Sequence, residues 1–307
     1  MNFEITFQSI FIGSLEIRFY SIMILSGLLA GIFLAQRQAQ RINEDPDHVV
    51  NIAVLGAVFG LIGARAYHVL DQDQWPYYSQ NPGQIVAIWN GGIGIFGAIA
   101  GSAIAVMTYV WWVNRRERRL GRRGRLLDML VWLDIGAPAL LLGQAIGRWG
   151  NFFNQELFGP PSDLPWAINI DPERVFAEAP QYVGETSFHP LFLYESLLSL
   201  LGAAVLVFVA RRLAHRLRKG DIMALYFIWY PTERFFLEFL RTENWKFGVL
   251  PTAQILGVIL VVAAVAWIIY RHRLPEDSGG QDARVDERRP SRSSQRRQRQ
   301  RRRTEQG

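Results

Sequence analysis

The residues best equipped for chemistry stand in one run, Gly147-Arg148-Trp149-Gly150-Asn151-Phe152-Phe153-Asn154-Gln155-Glu156-Leu157-Phe158-Gly159. Arg148 presents a planar fork of donors matched to a phosphate or carboxylate, and Asn151 and Asn154 offer donors and acceptors for ester or glycerol oxygens. Glycines at both ends, Gly159 included, let backbone approach a bulky ligand. The same residues would do plainer work if Arg148 only reached the membrane interface and paired with Glu156, while the asparagines capped a helix end. A second set is Tyr226, Tyr230, Glu233, Arg234, Glu238 and Arg241. Tyr230, Arg234, Glu238 and Arg241 follow one another at steps of four, four and three, so one helical face carries them and Arg234 can pair with Glu238.

Three more buried polar sites are expected: Arg18 with Tyr20 at the start of the first apolar stretch, Arg65 with Tyr67 in the second, and His189 with Tyr194 and Glu195 in the fifth. An ionisable group inside a span is costly unless paired or hydrated, so these faces should look into the bundle interior. Arginine in excess there suits a cavity for an anionic lipid head group, although helix-gluing ion pairs would use the same residues. His189 precedes Pro190, a pair that often does no more than open a helix. The sequence holds no cysteine, which excludes a disulfide framework, a thiolate metal site and a cysteine nucleophile of the protein's own. Thiol chemistry here needs a thiol from a substrate. The acidic residues and histidines lack clustered ligand spacing, so neither a metal nor a cofactor is indicated.

Such groups need a scaffold, and the 307 residues, 50% of them hydrophobic, are too apolar for an ordinary soluble domain. Seven stretches reach the length of a span, at roughly 19–36, 49–70, 85–113, 126–146, 191–210, 222–240 and 250–270. The third is long enough to break around Trp89-Asn90-Gly91-Gly92-Ile93-Gly94. Arginines follow the first, third, fifth and seventh stretches, whereas the joints 71–84, 150–190 and 241–249 hold hardly any Lys or Arg. The positive-inside rule then puts the N-terminus outside and the C-terminus in the cytoplasm. The expectation is an all-α integral membrane protein with a transmembrane domain over 1–274, a small external cap over 150–190, and a disordered basic cytoplasmic tail over 275–307. The net charge of +6 lies beside apolar segments and in that tail, so anionic membrane lipids are the expected partner and nucleic acid is not.

At these residues the chain resembles the prolipoprotein diacylglyceryl transferase family over about 15–272. The family's Gly-Arg-x-Gly-Asn-Phe-x-Asn-x-Glu-x-x-Gly signature is matched in full from Gly147 to Gly159. Arg18-Phe19-Tyr20, Gly63-Ala64-Arg65-Ala66-Tyr67, Gly91-Gly92, Leu164-Pro165-Trp166, His189-Pro190 and Leu193-Tyr194-Glu195 add support, as do Arg234-Phe235, Glu238-Phe239 and Arg241. The resemblance implies an inner-membrane enzyme that joins the diacylglyceryl group of phosphatidylglycerol to the lipobox cysteine of a prolipoprotein signal peptide and releases glycerol phosphate. It further implies that Arg148 and Arg234 hold the phosphate, that Asn151, Asn154 and Glu156 orient the glycerol, and that Tyr20, Tyr230 and Glu238 complete the pocket. Gly159, Arg65 and His189 are expected to contact substrate. One position departs from the pattern: many members carry a histidine shortly after the Gly-Gly, where this sequence has Phe96. A base would then be Glu156, Glu238, His189 or a tyrosine, or no dedicated base is needed. Two other classes fit the residues alone, a lipid or anion transporter and a non-catalytic membrane scaffold.

Overall fold

In hydrocarbon an apolar segment can satisfy its backbone only by internal hydrogen bonds, so the long apolar runs fold as helices. The computed structural model describes residues 3–122, 126–241, 246–247 and 250–275. Among the described residues six helices are long and apolar enough to cross a membrane: α1 (Phe19–Arg41), α2 (Asp47–Leu70), α4 (Ile95–Arg119), α5 (Met129–Asn154), α7 (Leu191–Arg212) and α9 (Thr252–Arg273). Shorter helices α3 (Trp75–Gln80), α6 (Pro172–Glu178) and α8 (Asp221–Leu237) lie between them. Helix α8 occupies most of the expected sixth stretch, contains Pro231, and runs on as a 3-10 turn over Glu238–Leu240. Arg241 follows in extended conformation, so it does not share the helical face of Arg234.

Two boundaries depart from the sequence expectation. The third stretch becomes helical only at Ile95, because Pro82 opens a 3-10 turn and Gly91 and Gly92 adopt φ of 80° and 72°. The fourth continues to Asn154, eight residues beyond 146, because Arg148, Asn151 and Asn154 are polar yet compatible with a helix. Hydropathy registers their composition and not their backbone. An antiparallel sheet of β1 (Phe3–Ile5), β2 (Ser9–Ile12) and β3 (Leu15–Arg18) precedes α1 and was not anticipated. Arg18, expected to be buried at the start of the first stretch, instead ends that sheet, exposed and paired with Glu16 at 3.2 Å.

Small residues set the helix packing. A Cβ on Gly27 of α1 would lie 2.7 Å from the Gly143 carbonyl of α5, and Gly63 of α2 abuts Gly97 and Gly101 of α4 backbone to backbone. Ala35, Val49, Tyr109 and Trp132 close one core among α1, α2, α4 and α5, while Leu141, Leu206, Ile222 and Tyr226 close another among α5, α7 and α8. Large apolar side chains such as Phe33, Ile62, Ile99 and Phe208 face outward, as helices surrounded by lipid require.

Residues 158–188 form a separate small core of Phe158, Ile170, Val175, Ala179 and Phe188, around α6 and the ribbon of β4 (Ile168–Asn169) with β5 (Ser187–Phe188). A second ribbon pairs β6 (Lys246–Phe247) with β7 (Leu250–Pro251) just before α9. At the other end of the bundle the Arg41 fork donates to the Ala210 and Arg211 carbonyls, and Asp134 accepts from the Gly220 and Met223 amides at 2.6 and 2.9 Å. The tail expected from 275 onward lies outside the described residues beyond 275.

Candidate active site

The signature forms its site by ending α5 abruptly. Gln155 turns into the left-handed region at φ 53°, and the Glu156 amide donates back to the Asn151 carbonyl at 2.8 Å. That reversal folds Glu156 over the helix end, where its carboxylate accepts from the Asn151 side chain at 3.3 Å and from Asn154 at 3.1 Å. Leu157 repeats the left-handed conformation at φ 58° and sends the chain toward α7. Gly159 then packs against the Leu191 and His189 side chains where no Cβ would fit, and its amide donates to the His189 carbonyl at 2.8 Å.

About two turns before this reversal, Arg148 reaches α7, where its Nε lies 2.5 Å from Glu195 Oε2. The other oxygen of Glu195 accepts from Arg234 Nη1 of α8 at 3.1 Å, and Arg234 Nη2 meets Glu238 Oε2 at 2.9 Å. Two guanidiniums from different helices are thus held on one carboxylate that is 2% exposed. A like-charge pair so placed would repel strongly without the anion between them. Among the described residues the two Nη groups of Arg148 carry no hydrogen bond, and the Arg148 side chain keeps 26% exposure. The fork can therefore take a phosphate without breaking its contact to Glu195.

The surrounding wall is aromatic. Tyr20 of α1 packs its ring on Gly150, and Tyr230 stacks on Tyr226 at 6.0 Å, whose hydroxyl accepts from Gln144 at 3.0 Å. Phe152 and Phe153 meet Phe7 from the N-terminal sheet, and Phe152 meets Phe192 of α7. Next to Arg234 in the chain, Glu233 is buried and accepts from Ser199 of α7 at 3.0 Å. Among the described residues no group of three His, Asp or Glu side chains is placed to hold a metal ion.

The sequence profile of prolipoprotein diacylglyceryl transferase matches residues 8–270. A phosphatidylglycerol–prolipoprotein diacylglyceryl transferase from Streptococcus agalactiae is 35% identical over 263 residues, 85% of this chain and 94% of its own. Relatives of the same name from Nostoc sp. and Lactobacillus delbrueckii are 38% and 34% identical over 274 and 261 residues, covering 86% and 85% of this chain and 90% and 88% of theirs. The chain belongs to the prolipoprotein diacylglyceryl transferase family.

Within this transferase fold the remaining candidates fall outside the ion chain. Arg65 spends four of its five donors on backbone: it donates to the carbonyls of Gln84, Ile85, Gly91 and Gly92 at 2.5 to 2.8 Å and lies over the Tyr78 ring. It pins the irregular segment before α4 onto α2. His189 follows the small 158–188 core in the chain, with its Nδ1 3.1 Å from the Tyr194 hydroxyl, and that hydroxyl accepts from the Trp166 indole at 2.9 Å. Phe96, at the position where many members have histidine, is exposed at the start of α4 against the Tyr67 ring. Glu195, read from the sequence as one polar group in the fifth stretch, is the residue that joins the two arginines. The apolar content of α7 gave no sign of which neighbour it would meet.

Proposed function

We propose that this chain transfers the diacylglyceryl group of phosphatidylglycerol to the cysteine thiol of a prolipoprotein lipobox. The observation that carries the reading is the convergence of Arg148 and Arg234 on Glu195, beside the Asn151–Asn154–Glu156 cluster, in a member of this family. The thiolate sulfur attacks the diacylglyceryl carbon that bears the phosphate oxygen. A carbon–sulfur bond forms, the carbon–oxygen bond breaks, and the electron pair leaves on glycerol phosphate, while the thiol proton passes to a base or to solvent. Negative charge on the phosphate rises by one in this step. Two guanidiniums fixed on a buried carboxylate stabilise that rise more than they stabilise the ground state. The same field favours thiolate from a thiol whose ordinary pKa is about 8.5. Glu156, held by two asparagines, orients the glycerol, and Tyr20 and Tyr230 line the pocket.

The topology we propose has seven spans, with α8 and its 3-10 extension as the sixth. Helices α1, α4, α7 and α9 each end in a basic last turn, which supports a cytoplasmic face there and an outer-leaflet site at the end of α5. The 158–188 core is then the external cap of a bacterial inner-membrane protein. The test is a reconstituted assay with phosphatidylglycerol and a lipobox peptide, followed by peptide mass. Wild type should add one diacylglyceryl group, and Arg148→Ala should lower the rate by about a hundredfold, the usual loss for one preorganised charge donor. Undiminished turnover in Arg148→Ala would overturn the assignment.

A further inference from the structure

The far end of the bundle holds a feature that the transfer reaction does not use. Between the first turns of α5 and α8 and the last turns of α9 runs a groove of about 210 Å³, lined by Leu130, Leu133, Met223, Phe227, Leu260 and Trp267. Its remaining lining is Gly220 and alanine, and of these Ala224 and Ala264 are buried, which sets a shallow floor. Phe227, Leu260 and Trp267 stay 39 to 42% exposed along the rim, so the groove opens sideways from the bundle. From Gly220 to Phe227 it follows two turns of α8, roughly 10 Å at the helical rise per residue. No charged side chain lines it.

Surrounding hydrocarbon supplies one kind of filler, an acyl chain, which restores the dispersion contacts that an open apolar slot forfeits. The mouth lies beside cations. Arg271 lies against Trp267 and Lys219 adjoins Gly220 in the chain, so two cations flank that end of the groove. The Arg271 guanidinium sits 5.7 Å from the Trp267 ring centroid, and its Nε is buried without a hydrogen-bond partner among the described residues. Lys219 is 56% exposed and touches Asp128 at 2.8 Å, and Asp221 is engaged by His272 at 2.8 Å. Neither carboxylate answers Arg271.

We infer that this groove binds an anionic glycerophospholipid from the leaflet at the basic end, with one acyl chain between α5, α8 and α9 and its phosphate on Arg271 and Lys219. This lipid is distinct from the one that reacts, which the proposed function places at the opposite end of α5. Only the assignment of leaflet rests on that reading.

The test uses the full chain in bilayer discs containing phosphatidylglycerol or phosphatidylcholine with brominated acyl chains, which quench nearby tryptophan. The Trp267 signal is obtained as the difference between wild type and Trp267→Phe. Two cationic contacts predict that phosphatidylglycerol quenches with about a tenfold preference over phosphatidylcholine. Arg271→Gln should bring that ratio close to one, and Ala264→Phe, which fills the floor, should abolish the strong quenching. Both variants should keep diacylglyceryl transfer near the wild-type rate, which also reports that they fold. Equal quenching by the two lipids in wild type, or an unchanged preference in Arg271→Gln, would overturn the inference. Failure of transfer by wild type would instead strike the proposed function and leave the quenching result standing.

Discussion

Glu195 holds two cations in place, so its charge matters more than its shape. Replacing it by glutamine leaves Arg148 and Arg234 facing each other with one acid, Glu238, still on Arg234. Removing one partner of a buried ion pair costs about 3 kcal/mol or more. Glu195→Gln should therefore lower the melting temperature in detergent and reduce kcat/KM at least about tenfold by letting the arginines separate. Glu195→Asp should recover part of both. Unchanged turnover in Glu195→Gln would show that the arginines position themselves without it. At this scale the sequence was informative where chemistry is local: the spacing of Arg234 and Glu238 implied the pair that forms at 2.9 Å. It was silent where partners come from elsewhere. Arg65 has the composition of a ligand-binding arginine, yet four carbonyls of an irregular segment occupy it, and nothing in residues 84–92 announces that geometry.

Helix contacts rest on backbone surfaces that tolerate no added carbon. A side chain on Gly97 would run into the Gly63 carbonyl and the Tyr67 side chain, so α2 and α4 would have to part. Gly97→Val should cost about 1–3 kcal/mol in thermal unfolding. Gly56→Ala on the same face of the problem meets nothing within 4 Å and should be neutral or slightly stabilising. The start of α5 offers a pH test. Partial burial pushes the Asp128 carboxyl up, but the Lys219 ammonium at 2.8 Å and the backbone amides of Leu130 and Val131 outweigh it and hold the group below its ordinary 3.8. A lowered pKa contributes stability that is present above 3.8 and disappears as pH falls through the folded value. Asp128→Asn keeps a good helix cap and removes the charge, so it should cost less than about 1 kcal/mol near neutral pH, because the pair is exposed and screened, and nothing well below 3.8. Hydropathy located the long helices well. It missed the last turns of α5, where polar residues continue a helix, and the three-stranded sheet before α1, whose strands are four residues or fewer.

Taken whole, the family match over 8–270 and the ion chain both stop short of the basic tail. A chain ending at residue 275 should then transfer diacylglyceryl within about twofold of the full-length rate, since every residue of the family match and of the ion chain is kept. A larger loss on truncation than in Arg148→Ala would favour a recruiting scaffold over an enzyme. The 158–188 core has another property. Its chain enters and leaves at one point, where the Gly159 amide donates to the His189 carbonyl, the His189 amide to the Pro160 carbonyl, and the Phe192 amide to the Leu157 carbonyl. The two ends of the excursion are tied together before the chain returns to α7. Such an excursion is an insert with its own closure, and its length can change over generations without moving α5 against α7.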